Sequence, residues 1–325
     1  MADPSENAAR ADVSVVIAFH EAHATLPLQL EALLAQEEAP RFEVVVVDNR
    51  SSRTPVPIVE EWRARGLDVR LVDAPRAQGT SYARNVGVAS TTSSMIVFVD
   101  ADDCVGPRFI SSAVDALRHV DVVDGEVRPV AATEFDDGRE HLWRLLDGIA
   151  GGSVVRDAAD HDYPILMGGA SAVRREVFLE LGGFDQTFFP GAEDNDLALR
   201  LVRGGRTIAR HPGMALAERL RSSDGAAFRR SFEAGRMHIS LCARHDLWAV
   251  SPHLHDPKWF VDLAKVPLVA VKALVTRADS DTRRAVASRV GLRLGQGAGM
   301  VTYRLLRRPV VPQLGVGLDE GVSSQ

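Results

Sequence analysis

The stretch Met95–Asp103, MIVFVDADD, constrains this chain more than any other. A run of apolar, β-favouring residues ends abruptly in Asp100, Asp102 and Asp103. An apolar run entered from Ser and Thr and left through acid reads as a strand buried on both faces. Carboxylates at the carboxyl end of a buried parallel strand stand where open α/β sheets bind ligands. Asp100 and Asp102 are two apart, so a turn after the strand aims both at one point. Two hard oxygen donors that still need partners suit Mg²⁺ or Mn²⁺, shared with a diphosphate. The plainer alternative is an Asp-rich turn that only ends a strand.

The neighbouring sequence repeats the pattern. Val13–Phe19 (VSVVIAF) is a second strand-like run, followed by His20 and Glu21. Leu26, Leu30, Leu33 and Leu34 then share a helical face. Phe42–Val47 (FEVVVV) ends in Asp48 and Asn49. Pro57–Arg65 reads as a helix, Val69–Val72 as a short strand and Gly79–Ala89 as another helix. The alternation is β-α-β-α-β-α-β, which predicts an α/β protein with a mostly parallel sheet, right-handed crossovers and flanking helices. It also sets Glu21, Asp48, Asp100 and Asp102 along one rim of that sheet.

With these segments in order, the chain resembles the inverting glycosyltransferases of family 2. SVVIAFHEA stands for the opening strand and base-binding loop, VVVVDNRSS for the second strand with its Asp and Ser. QGTSYARNVGVAS matches the glycine and Ala-Arg-Asn segment, and VFVDADD the Asp-x-Asp strand. MGGASAVRREVFLELGGFDQTFFPGAEDNDLALRLVRGG matches the acceptor-side strand, the Gly-Gly-Phe-Asp turn and the Glu-Asp helix. The resemblance covers Val13 to Gly205, and more loosely extends to Arg236. It implies a GT-A fold, a Rossmann-like mixed, mostly parallel sheet flanked by helices, here with a helical C-terminal extension. The implied layout is a disordered 1–11, a catalytic domain over 12–220 and a helical region over 221–325.

Such an enzyme must hold a nucleotide base, neutralise a diphosphate and expose an anomeric carbon to a nucleophile. Asp48 is placed to accept a hydrogen bond from base or ribose. His20 takes the slot where the family often has an aromatic residue beside the base, and Glu21 the slot that usually holds Asn. The resemblance makes Asp100 and Asp102 ligands of a Mn²⁺ or Mg²⁺ ion that stabilises the leaving diphosphate. Arg84 and Arg76 offer charge-assisted contacts to phosphate; for Arg84 the alternative is a brace to one of the Asp residues. Glu193 and Asp194 open a helical pattern, where the helix dipole alone favours acids. The family assigns the general base to the Asp of this pair, so the resemblance points to Asp194, with Glu193 orienting the acceptor. Asp196 and Arg200 have the spacing of an i,i+4 ion pair.

The chain departs from the family in two places. Arg50 replaces a usual glycine, and Arg53 and Pro55 interrupt the common continuation of that loop. In relatives a metal-binding His often follows the Glu-Asp helix; here HPGMALAERLRSS offers only His211 and Glu218.

Composition fits an intracellular enzyme. The chain of 325 residues is long enough for a large core, and a net charge of −6 gives no reason to expect nucleic-acid binding. Cys104 and Cys242 match neither a zinc nor a disulfide pattern. Met1–Ala11 is polar, without a signal peptide, so the expected location is cytoplasmic. The last third differs. Trp259–Arg277 is largely apolar, but its charges and Pro267 argue against a spanning helix. Arg277, Arg283, Arg284, Arg289, Arg293, Arg304, Arg307 and Arg308 follow. A basic, amphipathic end fits attachment to an anionic surface on the inner face of the plasma membrane, which suits a lipid-linked acceptor. It equally fits a helical lid or homodimer contact.

The reading is therefore a metal-dependent inverting transferase that moves a sugar from a nucleoside-diphosphate sugar to the hydroxyl of a glycan, a lipid-linked molecule or a small molecule. One rival is a non-catalytic relative that binds a sugar nucleotide. Another is a sugar-1-phosphate nucleotidyltransferase, which needs a Gly-rich basic loop where this chain has HEAHATLPL. A dehydrogenase is disfavoured because no G-x-G-x-x-G follows the first strand.

Overall fold

The computed structural model describes residues 11–148, 156–157, 163–220, 223–251, 254, 265 and 280–320. Of the expected disordered N-terminus only Ala11 is described, and of Trp259–Arg277 only Lys265; the rest of those two segments lies outside the described residues. Among the described residues no helix is long and apolar enough to cross a membrane.

The first half alternates as the sequence predicts: β1 Val13–Phe19, α1 Leu26–Leu34, β2 Phe42–Asp48, α2 Val56–Ala64, β3 Val69–Asp73, α3 Thr80–Ala89 and β4 Met95–Asp100. Then come β5 Cys104–Val105, α4 Phe109–Leu117, β6 Val122–Val130, α5 Gly138–Leu146 and β7 Arg156–Asp157. The remainder is β8 Ala170–Arg174, α6 Arg175–Glu180, α7 Glu193–Arg203, β9 Ile208–Arg219, α8 Asp224–His245 and α9 Ser280–Gly299.

The strands form one mixed sheet of order β3-β2-β1-β4-β8-β6-β9-β5, with β7 paired to β9. β1, β2, β3 and β4 are mutually parallel. β8 runs against both β4 and β6. β6 and β9 return to the first direction, and β5 and β7 oppose β9. The sheet is thus mostly parallel, with β8 as the reversal at its centre.

Strand alternation sorts the core onto the two faces. Val15 and Ile17 of β1 and Val97 and Val99 of β4 pack with Leu26, Leu30 and Leu33 of α1, Trp62 of α2 and the apolar face of α4. Val16, Ile96 and Phe98 face the other way, against Tyr82 and Val86 of α3, Phe178 of α6 and Leu197 and Leu201 of α7. Strands buried on both faces carry few polar side chains, and the polar residues that follow β1 and end β2 and β4 stand at the carboxyl rim.

Beyond the sheet, α9 packs along α8. A Cβ at Gly291 or Gly295 would run into the backbone carbonyls of Phe228 or Phe232, and one at Gly299 into Ile239. Three glycines spaced by four make one bare stripe on α9, and that stripe lets the two backbones approach closely.

Candidate active site

Along the carboxyl rim, strand ends and one helix start enclose a cleft of about 680 Å³. His20 and Glu21, Asp100, Asp102 and Asp103, Gly168 and Gly169, Glu193 and Asp194, and Glu218 and Arg219 all line it, with Arg84 at its base. The carboxylates that the sequence singles out on two distant segments therefore share one cavity.

The link between them is Arg84, which is 2% exposed. Its Nη2 donates to Asp100 Oδ1 at 2.7 Å, and its Nη1 stands 3.5 Å from Glu193 Oε1. Burial opposes its charge, but Asp100, Glu193 and Asp194 more than offset that and raise its pKa. The brace alternative for Arg84 is thus the contact the fold contains. One guanidinium ties the end of β4 to the start of α7.

The acidic loop after β4 is clamped at several points. Buried Gln29 of α1 donates from Nε2 to Asp100 O at 3.1 Å and accepts at Oε1 from Val105 N at 3.0 Å. Arg219 Nε donates to Asp102 O at 3.1 Å, and Arg219 N donates to Asp103 Oδ1 at 2.9 Å. The Arg219 guanidinium also lies 3.9 Å over the Phe135 ring. Burial, with Asp100 and Asp102 nearby, holds the Asp103 pKa well above the carboxylate range. Gly169 makes room for the second oxygen of Asp100: a Cβ there would come within 2.5 Å of Asp100 Oδ2. The donor set is all carboxylate oxygen, crowded enough to favour a proton or a cation. That chemistry fits Mg²⁺ or Mn²⁺, with Asp100 and Asp102 as the ligands to hand.

On the opposite wall, α7 begins with Glu193 and Asp194. Gly168 N donates to Asp194 Oδ2 at 3.2 Å, and Asn195 N to Asp194 Oδ1 at 2.8 Å. Burial raises the pKa of both acids, and the charge of Asp194 adds to the rise at Glu193, which reaches about 7. Glu193 is the more buried of the two, and Asp194 the more open to the cleft. Asp124 of β6 is fully buried and sets this wall from below: its Oδ1 accepts from Met167 N at 2.8 Å, next to the two glycines. Burial, against Met167 N and Arg210, pushes the Asp124 pKa up to about 6.

The remaining candidates divide. His20 and Glu21 line the cleft, stitched to the loop after β2. His20 Nδ1 lies 2.9 Å from Asn49 O, and Glu21 Oε1 accepts from Ser52 N, which lowers the Glu21 pKa. Asp48 does not line the cleft; its carboxylate turns back to accept from Ser51 N at 3.1 Å. Arg76 does not line it either, because its guanidinium is engaged by Asp319 and Glu320. Of the two candidates for a further metal ligand, Glu218 lines the cleft, where its Oε1 meets Arg230 Nη2 at 3.0 Å. His211 is buried in a separate cavity, with Nδ1 accepting from Gly213 N at 3.0 Å and Nε2 unpaired. The expected Asp196–Arg200 pair is present at 2.7 Å. A different trio, Glu134, Asp137 and His141, brings three ligand atoms within 4.8 Å of one another, but outside the cleft.

Sequence reasoning missed Gln29, Asp124 and Arg219. Gln29 interrupts the leucine stripe of α1 and Asp124 interrupts an apolar run, so a polar residue inside an apolar pattern was the available signal. Arg219 carried no such mark.

The family model for glycosyl transferase family 2 matches residues 14–182, and the chain belongs to that family. A second model, the N-terminal domain of galactosyltransferase, matches residues 155–236. O-antigen biosynthesis protein RfbC of Myxococcus xanthus is 26% identical over 211 residues, 60% of this chain and 16% of the relative. Pre-mycofactocin glycosyltransferase of Mycobacterium tuberculosis is 29% identical over 184 residues, 53% of this chain and 36% of the relative. The chain thus spans well under half the length of either. Among solved structures, the mannosyltransferase PcManGT from Pyrobaculum calidifontis, in complex with GDP-Man and Mn²⁺, superposes with a TM-score of 0.60. It is 20% identical, with 90% of this chain and 88% of that one covered, and it shares the fold.

Proposed function

We propose that this chain is a metal-dependent inverting glycosyltransferase that transfers a sugar from a nucleoside-diphosphate sugar to an acceptor hydroxyl. The observation that carries this is the meeting of Asp100 and Asp102 with Glu193 and Asp194 in one cleft, joined through Arg84.

Asp100 and Asp102 would hold a divalent cation, Mn²⁺ or Mg²⁺, which when bound offsets the charge of the leaving diphosphate. The neighbour bound to GDP-Man and Mn²⁺ supports this choice of ligand class. Arg84 keeps Asp100 in place and carries positive charge to the floor of the cleft. His20 and Glu21 form the wall for the base, and Asp48 shapes that wall by fixing the loop at Ser51. Arg76 is left outside the donor site. Asp194 acts as general base: it takes the proton from the acceptor hydroxyl as the acceptor oxygen bonds to the anomeric carbon. The bond from that carbon to the diphosphate oxygen breaks in the same step, and the nucleoside diphosphate leaves with the electron pair. One displacement inverts the anomeric centre. Glu193, more deeply buried, orients Arg84 and the acceptor.

The test is a thermal-shift panel of UDP, GDP, ADP and dTDP with and without Mn²⁺. One nucleotide should raise the melting temperature, and more so with Mn²⁺. No shift with any of them would contradict the proposal.

A further inference from the structure

A second cavity, of about 630 Å³, opens beside the cleft between the end of β9, α8 and α9. Most of its exposed wall is carbon, including Ala131, Ala132, Leu220, Ala227 and Ala285, and Arg284 of α9 also lines it. Leu220 is 46% exposed there, a large apolar side chain left open on the rim among the described residues.

This groove continues the catalytic cleft. Glu218 and Arg230 line both cavities. On α8, Ala227, Arg230, Ser231 and Ala234 follow one another at helical spacing. The first three face the groove, and Arg230 and Ala234 face the cleft, so a single stripe leads from one to the other. The partition between the cavities is the Arg230–Glu218 ion pair at 3.0 Å, with side chains 58% and 25% exposed. Surface pairs of this kind contribute little to stability, so the partition yields easily to a ligand.

We infer that the groove holds the hydrocarbon tail of an amphiphilic, lipid-linked acceptor whose hydroxyl-bearing head lies in the cleft before Asp194. The inference rests on the glycosyltransferase reading and names the acceptor class for it. Two features favour this occupant: the groove runs into the cleft at Glu218 and Arg230, and its far wall belongs to α9, which carries Arg283, Arg284, Arg289 and Arg293. A carbon-lined channel beside a basic helix matches a tail that leaves an anionic lipid surface.

The test uses methyl, hexyl and octyl β-D-glucoside as probes, below micelle-forming concentrations, titrated into the full chain by calorimetry. The readout is the gain per methylene, which does not depend on the correct sugar head. Affinity should rise about fourfold per buried methylene, which is about 0.8 kcal/mol. Ala285→Trp, at an exposed position, should fill the groove and flatten that dependence, and Leu220→Gln should weaken it. Binding of nucleoside diphosphate with Mn²⁺ should be unchanged in both variants. Equal affinity for methyl and octyl probes, as when a second copy or other residues of this chain fill the groove, would overturn the inference. So would a length dependence that survives Ala285→Trp. Wild-type protein that binds no nucleotide would overturn the underlying reading, and that titration is run separately.

Discussion

The two halves of the sheet build their share of the cleft in different ways. From β1 to β4 the parallel strands are mainly apolar, with Ser14, Glu43 and Arg70 near their starts and acids at the carboxyl ends of β2, β3 and β4, so the rim residues follow from where each strand stops. From β6 to β9 the sheet reverses at β8, and buried polar groups hold it together. Asp124 supports the Met167–Gly169 turn from inside the sheet, and Asp196 is fully buried between Arg200 and His245. On the proposed reading, the first half would present the metal ligands on a strand edge, and the second half would position the base through a network. Arg84 is the point at which the two are coupled.

If this division holds, the largest effect of a single change belongs to the second half. Asp194→Asn keeps size and hydrogen bonding but loses basicity. Turnover should fall by roughly 10²–10⁴, with donor affinity little changed. A variant that keeps wild-type turnover would move the base elsewhere and break the comparison at its centre.

Glu193 sharpens it through pH. Its pKa is raised from an ordinary 4.5 to about 7 by burial and by Asp194. A carboxyl whose folded pKa is raised stabilises the fold fully below its unfolded pKa, and that contribution disappears as pH rises through the folded one. Wild-type stability should therefore decline from about pH 4.5 to above pH 7 on account of this group. Glu193→Gln should remove that decline, leaving the variant more stable than wild type at pH 8 by about 1–3 kcal/mol and level with it near pH 4. Urea unfolding at the two pH values measures this. A gap of the same size at both would show that Glu193 does not titrate in this window.

The smallest effect lies in the first half. Arg50 takes a positive φ of 63°, a conformation that costs a residue with a Cβ about 1–2 kcal/mol. Glycine relieves that strain but has more freedom to lose on folding, so Arg50→Gly should stabilise by up to about 1 kcal/mol. A clear loss of stability would mean that the Arg50 side chain supports the loop.

The contrast also explains what could be read from the sequence. Strand and helix positions from β1 to β4 were legible because double burial leaves long apolar runs, and Asp100 and Asp102 stood out because the run before them stops so sharply. Glu193 and Asp194 were legible from the resemblance and from their place at a helix start. Other contacts depend on partners far away in the chain. Arg76 looked free for phosphate, but Asp319 lies 243 residues further on. Arg219 holds Asp102 and Asp103 across 117 and 116 residues, and no local pattern marks it. His211, near in sequence to the expected ligand position, sits further back along β9 than the rim, and only strand register decides that. The glycine stripe on α9 stands in the sequence at a spacing of four, but the helix it packs against is named only by the fold.

The central claim is that Asp102 belongs to a metal-assisted nucleoside-diphosphate site. The most direct measurement is the affinity of the preferred nucleotide for wild type and Asp102→Asn, with Mn²⁺ and with EDTA, alongside a check that the variant unfolds at the wild-type temperature. The account predicts that Mn²⁺ tightens nucleotide binding in wild type and that the folded variant loses most of this gain. Equal Mn²⁺-dependent affinity in the two proteins would contradict it.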